Sequence, residues 1–197
     1  MSRRTELSLL RGAPLEVAPR LLGAVLRLGD VAVRLTEVEA YDGGNDPGSH
    51  AYRGETRRTR SMFGPSGHLY CYFTYGMHVC ANVVCRDEGA AGAVLLRAGE
   101  VIDGIGTARG RRPKSNDRDL ARGPARLCRT LGISLDDDGA DLGEGPITLT
   151  FDDEVDTVST GPRVGLRHAP DWPWRFWISD DPTVSLYRPA APQRRRG

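Results

Sequence analysis

Two short apolar runs separated by a pair of turn residues are the feature that most constrains the fold. The run "AVLRL" ends at residue 28, the run "VAVRL" begins at residue 31, and Gly29 and Asp30 stand between them. Alternating apolar residues on both sides of such a pair are typical of two antiparallel strands joined by a tight hairpin. The sequence therefore predicts an antiparallel sheet that starts near residue 24.

Further strands and a few short helices extend this pattern. Runs rich in aromatic and branched residues, which favour strands, are "HLYCYFTYG", "HVCANVVC", "GAVLLRAG", "PITLTF", "PRVGL" and "WRFWIS". Short helices are predicted at the start of "PLEVAPRLLGAVLRL", in "EVIDGIGTARG" and in "ARGPARLCRTLG", where Pro124 falls in the first turn. Because strands dominate and helices intervene irregularly, the predicted fold class is α+β, with a curved, mostly antiparallel sheet and surrounding helices.

Length and hydropathy bound the organisation of the chain. Its 197 residues suffice for one well-buried core. We therefore expect a single domain over residues 1–197, with flexible ends at about 1–12 and 189–197. No apolar run approaches the roughly 18 to 20 residues that cross a bilayer, and the N-terminus lacks the apolar stretch of a signal peptide. An intracellular protein without membrane association is expected.

Cysteine and lysine usage limits the chemistry that the chain can perform. None of the four cysteines belongs to a C-x-x-C pair, so buried free thiols are expected rather than metal ligands. Lysine occurs once, at Lys114, in a predicted loop that also looks disordered, "RRPKSNDRD". A mechanism that needs a Schiff-base lysine therefore has one poorly placed candidate.

Charge is segregated along the chain although the net charge is only +1. Residues 109–129 contain eight basic and two acidic side chains, whereas residues 134–156 contain nine acidic side chains and no basic one. A basic block of this kind can bind polyanions. A solvated charged surface is an equally good interpretation of the composition.

Two glutamates stand one residue apart at the end of the second hairpin strand. Period two places Glu37 and Glu39 on the same face as the apolar side chains of "VAVRL", unless a bulge reorients one of them. A carboxylate buried on such a face costs several kcal/mol unless it is paired or neutralised. Glu37 is expected to pair with an arginine. Glu39 is either a second ion-pair partner or a general base in a pocket that Tyr41 and His50 also line.

An aromatic strand follows an arginine-rich loop. Tyr70, Tyr72 and Phe73 lie in this strand, Tyr75 precedes the turn residue Gly76, and four arginines lie between residues 53 and 60. Aromatic strands more often belong to a core than to a ligand platform. Aromatic faces beside arginines are also what a flipped or single-stranded base requires, because the base stacks on rings and its phosphates pair with cations.

Five sequence blocks carry a resemblance to a known family. They are "TEVEAYDGGNDPGSHAYRG", "MFGPSGHLYCYFTYGMHVCANVV", "AVLLRAGE", "LARGPARLC" and "WRFWISDDPTVS". In order and content they resemble the alkyladenine DNA glycosylase family, also called 3-methyladenine DNA glycosylase, over about residues 17–188. The resemblance implies a bacterial base-excision repair enzyme that flips an alkylated or deaminated purine out of duplex DNA and cleaves its N-glycosyl bond.

The resemblance also implies roles for individual residues of the base pocket. Glu39 matches the general base that activates the attacking water. Tyr41 and His50 match residues that line the pocket and hydrogen-bond the flipped base, and Tyr72 matches the aromatic residue that stacks on its other face. Asn82 matches the residue that disfavours normal guanine by clashing with its 2-amino group.

Three further matched residues face the DNA or support the pocket. Tyr75 matches the strand-tip tyrosine that enters the minor groove and fills the gap left by the flipped base. Arg97 and Met77 match residues near the pocket and the DNA backbone. With no lysine at the matched pocket positions, the implied enzyme is monofunctional and uses no cofactor or metal. The implied protein is a cytoplasmic, nucleoid-associated monomer acting on double-stranded DNA.

Two functions of other classes stay open at this point. One is a non-catalytic protein that binds damaged DNA, which would have no need of a base such as Glu39. The other is a hydrolase or formyltransferase-like enzyme that acts on a small molecule with the same sheet. A wedge such as Tyr75 at a strand tip argues for DNA rather than a small metabolite.

Overall fold

An antiparallel sheet is the framework of the molecule, as the alternating apolar runs predict. The computed structural model describes residues 7–74, 76–151 and 155–191. Within them, eight strands form one sheet: β1 (Val25–Leu28), β2 (Val31–Tyr41), β3 (Leu69–Thr74), β4 (His78–Val84), β5 (Ala93–Asp103), β6 (Ile147–Thr150), β7 (Val158–Gly161) and β8 (Arg175–Ile178). The main path runs β3-β4-β5-β2-β1-β6, and β8 joins β2 to β7. The α+β fold class and the predicted hairpin, in which Leu28 pairs with Val31, are confirmed.

Short helices cover one face of this sheet. In the described residues they are α1 (Pro14–Arg20), α2 (Ile105–Arg111) and α3 (Pro124–Leu131). Proline occupies the first turn of α1 and of α3, where a missing amide hydrogen costs nothing. The buried face of α3, with Leu127, Cys128 and Leu131, packs into the main apolar core against the sheet. All four cysteines are free and buried, as expected.

Several sequence predictions of local structure are wrong. The segment "PRVGL" is a turn rather than a strand, and β7 was not predicted. The residues "EVID" extend β5 instead of starting a helix, so α2 begins only at Ile105. The segment "RRPKSNDRD" is ordered, because Arg112 donates hydrogen bonds to the carbonyls of Asp119 and Leu120 and Asn116 caps the turn Asp117–Asp119.

The predicted face of the two glutamates is also wrong, and bulges in β2 and β5 are the reason. Leu35 pairs with Gly99, Glu37 with Ala98 and Val38 with Leu96, so Thr36 and Arg97 are extra residues in the ladder. Each extra residue reverses the alternation of faces. Val38 therefore joins the apolar core below the sheet, and Glu37 and Glu39 turn to the opposite side. Gly99 is required here, since a Cβ would lie 2.4 Å from the carbonyl oxygen of Arg34.

Three further expectations concern the ends of the chain and membranes. In the N-terminal stretch, Ser8–Leu10 form a 3₁₀ turn and Leu10 is buried in the core. Residues 1–6 and 192–197 lie outside the described residues, so flexibility there stays a prediction. None of the helices in the described part of the chain is long and apolar enough to cross a bilayer.

Candidate active site

Glu37 is the centre of a buried ion-pair network. Its carboxylate accepts hydrogen bonds from Arg97 Nε at 2.9 Å and Arg175 Nη1 at 3.1 Å. It also accepts from the backbone amide of Ser185 at 2.7 Å and from the hydroxyl of Ser185 at 3.0 Å. These four donors match the capacity of a carboxylate, which is about four lone pairs. The expected arginine partner of Glu37 is confirmed, and the residue links β2 to β5, β8 and the segment after β8.

Glu39 is equally buried but less completely bonded. Its carboxylate accepts hydrogen bonds from the hydroxyl of Tyr41 at 2.7 Å and from the backbone amide of Val164 at 2.7 Å. Arg97 Nη1 lies 3.3 Å away and forms an ion pair. Desolvation alone would lower the pKa of Arg97, but Glu39 and Glu37 raise it above its ordinary value, so the guanidinium stays charged. Two hydrogen bonds leave lone pairs of Glu39 for a further donor such as water.

A cavity of about 190 Å³ opens directly in front of Tyr41. Its lining brings together four of the residues predicted from sequence with five others. The lining residues are Tyr41, Gly48, His50, Met62, Tyr70, Tyr72, Asn82, Gly165 and Leu166. Glu39 does not line it but lies behind Tyr41, held by that residue's hydroxyl. The volume is below the roughly 300–1,000 Å³ of pockets for drug-sized ligands, and it suits one heterocyclic ring system.

Aromatic rings form the wall that β3 contributes to this cavity. Tyr70 and Tyr72 project from the same face of β3 and stack at 5.6 Å between centroids, and the edge of His50 meets the ring of Tyr72 at 4.6 Å. His50 Nδ1 lies 3.2 Å from the hydroxyl of Tyr70. Burial raises the pKa of Tyr70 to about 12 and raises that of Tyr72 further still. Both phenols are therefore neutral hydrogen-bonding groups at physiological pH.

The ionisation of the other two polar wall residues is also set by burial. Burial raises the pKa of Tyr41 well above its ordinary value, and the neighbouring charge of Glu39 raises it further. Desolvation lowers the pKa of His50, and the nearby cation of Arg58 lowers it further. At neutral pH the cavity is therefore lined by uncharged donors and acceptors, with the negative charge of Glu39 behind them.

Asn82 lies at the back of the cavity, where β3 and β4 pair. It is directly opposite Tyr70 in the ladder, and its Nδ2 donates to the backbone carbonyl of Tyr70 at 2.9 Å. This bond fixes the orientation of a carboxamide that is almost fully buried. Asn82 is thus a rigid steric boundary of the cavity.

Arg163 connects the walls and was not predicted from the sequence. Its guanidinium is fully buried and donates to Asp46, at 2.8 Å from Nη2, and to the carbonyl of Ala40 at 2.9 Å. It lies 4.6 Å from the ring centroid of Tyr41 and 5.0 Å from that of Trp174. Arg163 therefore connects three segments of the chain: the end of β2, the loop that carries His50, and its own turn. In that turn the backbone amide of the next residue donates a hydrogen bond to Glu39.

The tip of the β3–β4 hairpin is an exposed apolar surface beside the cavity. Met77 is 68% exposed and Phe73 is 46% exposed. Gly76 has a φ of +68°, a conformation that allows the tight turn. Tyr75, predicted to enter DNA, lies outside the described residues. The exposed methionine and phenylalanine flank the predicted wedge position.

A larger groove of about 490 Å³ lies between segments 166–170 and 187–191. Among the described residues, its lining includes none of those predicted from the sequence. It is open to solvent and lacks a buried carboxylate, so volume alone does not identify the site. In the same described part of the chain, no group of three His, Cys, Asp or Glu residues is arranged to hold a metal ion.

A curved antiparallel sheet with a buried carboxylate behind a base-sized aromatic cavity is the arrangement expected of a DNA glycosylase. The family model described as methylpurine-DNA glycosylase matches residues 8–182. The chain belongs to this family. Its predicted enzyme class, a hydrolase acting on N-glycosyl bonds, is thereby confirmed.

Curated bacterial relatives match nearly the whole chain. A protein of Leifsonia xyli is 54% identical over 187 residues, which cover 88% of this chain and 88% of the relative. A protein of Streptomyces avermitilis is 54% identical over 193 residues, with 92% and 91% covered. A protein of Nocardia farcinica is 53% identical over 191 residues, with 91% and 90% covered. Each of the three carries the name "Putative 3-methyladenine DNA glycosylase".

Proposed function

We propose that the chain is a monofunctional glycosylase that hydrolyses the N-glycosyl bond of 3-methyladenine and related alkylated or deaminated purines in duplex DNA. The observation that carries the proposal is the buried carboxylate of Glu39, hydrogen-bonded at 2.7 Å to Tyr41, which itself forms a wall of the 190 Å³ cavity. The names of the bacterial relatives support 3-methyladenine as a substrate. Action as a monomer in the bacterial cytoplasm is part of the proposal.

The cavity would select a damaged base by shape and charge. A base inside it stacks on Tyr72 and meets Tyr41 and His50, which are uncharged hydrogen-bonding groups. An alkylated purine that carries positive charge gains a cation–π contribution of about 0.5–2 kcal/mol per aromatic face over a neutral one. A damaged base also costs less to unstack from the duplex. Asn82, fixed by its bond to Tyr70, would exclude guanine through contact with the 2-amino group.

For a cationic alkylated purine the chemical step needs one base and no acid, whereas a neutral purine such as hypoxanthine also takes up a proton from solvent as it leaves. Water attacks C1′ of the deoxyribose, the C1′–N bond breaks with its electron pair going to the purine, and Glu39 accepts the proton of the water. A cationic purine departs as a neutral molecule, so no protonation of the leaving group is required. The negative charge of Glu39 also stabilises the positive charge that develops on the sugar. Arg97 and the amide of Val164 hold the carboxylate in a single orientation for this step.

The hairpin tip would keep the nucleotide out of the duplex. Tyr75 is proposed to enter the minor groove at the vacated position, with the exposed Met77 beside it. Side chains that insert between base steps stabilise a deformed duplex in this way. Lys114 lies exposed in the loop after α2 and is not among the residues that line the cavity. Schiff-base cleavage of the strand is therefore not part of the proposal.

A base-release assay tests the proposed function. Duplex oligonucleotides that carry 3-methyladenine, hypoxanthine or 1,N6-ethenoadenine are incubated with the protein, and abasic sites are then cleaved with alkali. We expect nicks that depend on alkali. Nicks without alkali would contradict the monofunctional mechanism. Lesion binding without base release would indicate a non-catalytic damaged-DNA-binding protein, and neither binding nor release would favour an enzyme acting on a small molecule.

A further inference from the structure

Arg97 is shared between the two buried glutamates of β2. Its Nε donates to Glu37 at 2.9 Å, its Nη2 donates to the hydroxyl of Ser185 at 3.2 Å, and its Nη1 lies 3.3 Å from Glu39. Each nitrogen of the guanidinium therefore has a different partner. Because a single nitrogen faces Glu39, this contact differs from the two parallel hydrogen bonds that arginine commonly makes to a carboxylate.

Arg175 extends this network on the other side of Glu37. It lies directly opposite Glu39 in the ladder between β2 and β8, but its Nη1 donates to Glu37 at 3.1 Å. Its Nε is buried without a hydrogen-bond partner among the described residues. Cations and anions thus alternate in a charge series, Arg175–Glu37–Arg97–Glu39, whose side chains are at most 9% exposed. Buried ion pairs add little net stability, so stability alone does not account for this series.

The other ionisable groups around Glu39 are neutral or paired. Those that interact with its charge from β2, β3 and β4 are Tyr41, Tyr72 and Cys80. Burial raises the pKa of each of these three groups, so they are uncharged at physiological pH. Arg163, in the turn that supplies the amide of Val164, is paired with Asp46. The charge series is therefore well placed to govern how readily Glu39 takes up a proton.

We propose that Glu37 and Arg175 are positioning residues that act on Glu39 through Arg97. The inference rests on the proposed function, in which Glu39 accepts a proton from water. Glu37 holds Nε of Arg97 and so prevents the planar guanidinium from turning two nitrogens onto Glu39. Two such bonds would occupy lone pairs that water needs and would weaken the base. Arg175 offsets the repulsion between the two glutamates, so that Glu39 stays ionised.

Two neutral substitutions in the charge series should move the pH dependence of base release in opposite directions. Arg175→Gln removes a cation, so Glu39 should take up a proton at higher pH, and Glu37→Gln removes an anion and should do the reverse. The measurement is the single-turnover rate of 3-methyladenine release from about pH 4 to pH 8, corrected for the enzyme-free rate. We expect the pH of half-maximal rate to rise by about one pH unit in Arg175→Gln and to fall by about one in Glu37→Gln. The titration of His50 is common to all the proteins compared.

The double variant Glu37→Gln/Arg175→Gln separates charge from structural damage. It removes one charge of each sign, so its pH of half-maximal rate should lie between those of the single variants. Structural damage alone would lower the plateau rate without moving the single variants apart. Arg27→Gln is the matched control, because it removes an exposed cation of the same sheet that pairs with Asp103 at 2.9 Å. It should keep the wild-type profile. An unchanged pH of half-maximal rate in both single variants, or a change in the same direction, would overturn the positioning role and leave the glycosylase activity standing.

Carbon-13 NMR of the glutamate carboxylates follows the same titration without catalysis. The resonance of Glu39 is identified by its absence from the spectrum of Glu39→Gln. Its titration midpoint should rise in Arg175→Gln and fall in Glu37→Gln. Midpoints in this order without release of 3-methyladenine would leave the role of the charge series standing and overturn the proposed glycosylase activity. Equal midpoints in all these proteins would overturn the inference, whatever the rates of base release.

Discussion

The buried pair of Arg163 and Asp46 is the contact on which the geometry of the cavity most depends. Both side chains are completely inaccessible to solvent. Arg163→Met removes the cation and leaves the buried carboxylate of Asp46 without its ion-pair partner. The carbonyl of Ala40 also loses the hydrogen bond that Arg163 donates to it. It also removes the cation that lies between the rings of Tyr41 and Trp174. Glu39 is affected indirectly, because the residue after Arg163 supplies one of its two hydrogen bonds.

The expected loss of stability is large for a single substitution. Removing one partner of a buried ion pair costs about 3–5 kcal/mol, because the remaining charge is left unpaired in the interior. A domain of ordinary stability has about 5–15 kcal/mol in total. With a denaturant slope of about 2–3 kcal/mol per molar urea, the unfolding midpoint should fall by about 1–2.5 M.

Urea unfolding followed by tryptophan fluorescence measures this loss. The double variant Arg163→Met/Asp46→Leu should recover part of the midpoint, since it removes the unpaired charge as well. Arg109→Met, which breaks an exposed pair with Asp117, is the control and should leave the midpoint unchanged. A loss for Arg163→Met no larger than that of the control would refute the role assigned to this pair.

Three other perturbations probe the walls of the cavity. Gly48→Ala places a Cβ 2.9 Å from Nη2 of Arg163, which its buried pair with Asp46 holds in place, and should cost about 1–3 kcal/mol in thermal unfolding, whereas Gly44→Ala in the same loop meets open space and should be tolerated. Asn82→Ser should permit release of normal guanine, measured as abasic sites in undamaged duplex; unchanged discrimination would contradict its steric role. Because the folded-state pKa of His50 is lowered below the usual value of about 6.5, the unfolded state binds the proton first and stability should fall as pH drops below about 6.5. In His50→Gln, the difference in the free energy of unfolding between pH 7.5 and pH 5.5 should be smaller than in the wild type. An identical difference in both proteins would contradict this contribution of His50.

Local patterns were sufficient to predict most of the sheet. The hairpin around residues 29 and 30 and strands β3, β4 and β5 follow from alternation and turn residues within short windows. The bulges at Thr36 and Arg97 could not be predicted this way, because they depend on how β2 pairs with β5 about 60 residues later. One extra residue on a strand exchanges its faces, so the alternation pattern alone assigned the glutamates to the wrong side.

The residues of the candidate site also fall into two groups: those that short sequence motifs predict, and those that depend on contacts between distant segments. Tyr41, His50, Tyr72 and Asn82 lie in sequence blocks that resemble the family, and the fold brings them to one cavity. Arg163 lies in a segment that reads as a strand. Its partner Asp46 is 117 residues away, so no short window contains the signal for a buried ion pair.

The reactivity of Glu39 is the most direct test of the proposed mechanism. Glu39→Gln keeps the shape of the side chain. Its oxygen can accept from the amide of Val164, its NH₂ group can donate to the hydroxyl of Tyr41, and Arg97 retains Glu37 as a partner. The measurement is the single-turnover rate of 3-methyladenine release from a duplex, with affinity for an abasic-analogue duplex measured in parallel and Glu88→Gln as an exposed control. We predict a rate at least about 100-fold below that of the wild type, since a positioned general base contributes about 10²–10⁴, with little change in affinity. A rate within about threefold of the wild type would contradict the assignment of Glu39 as the base.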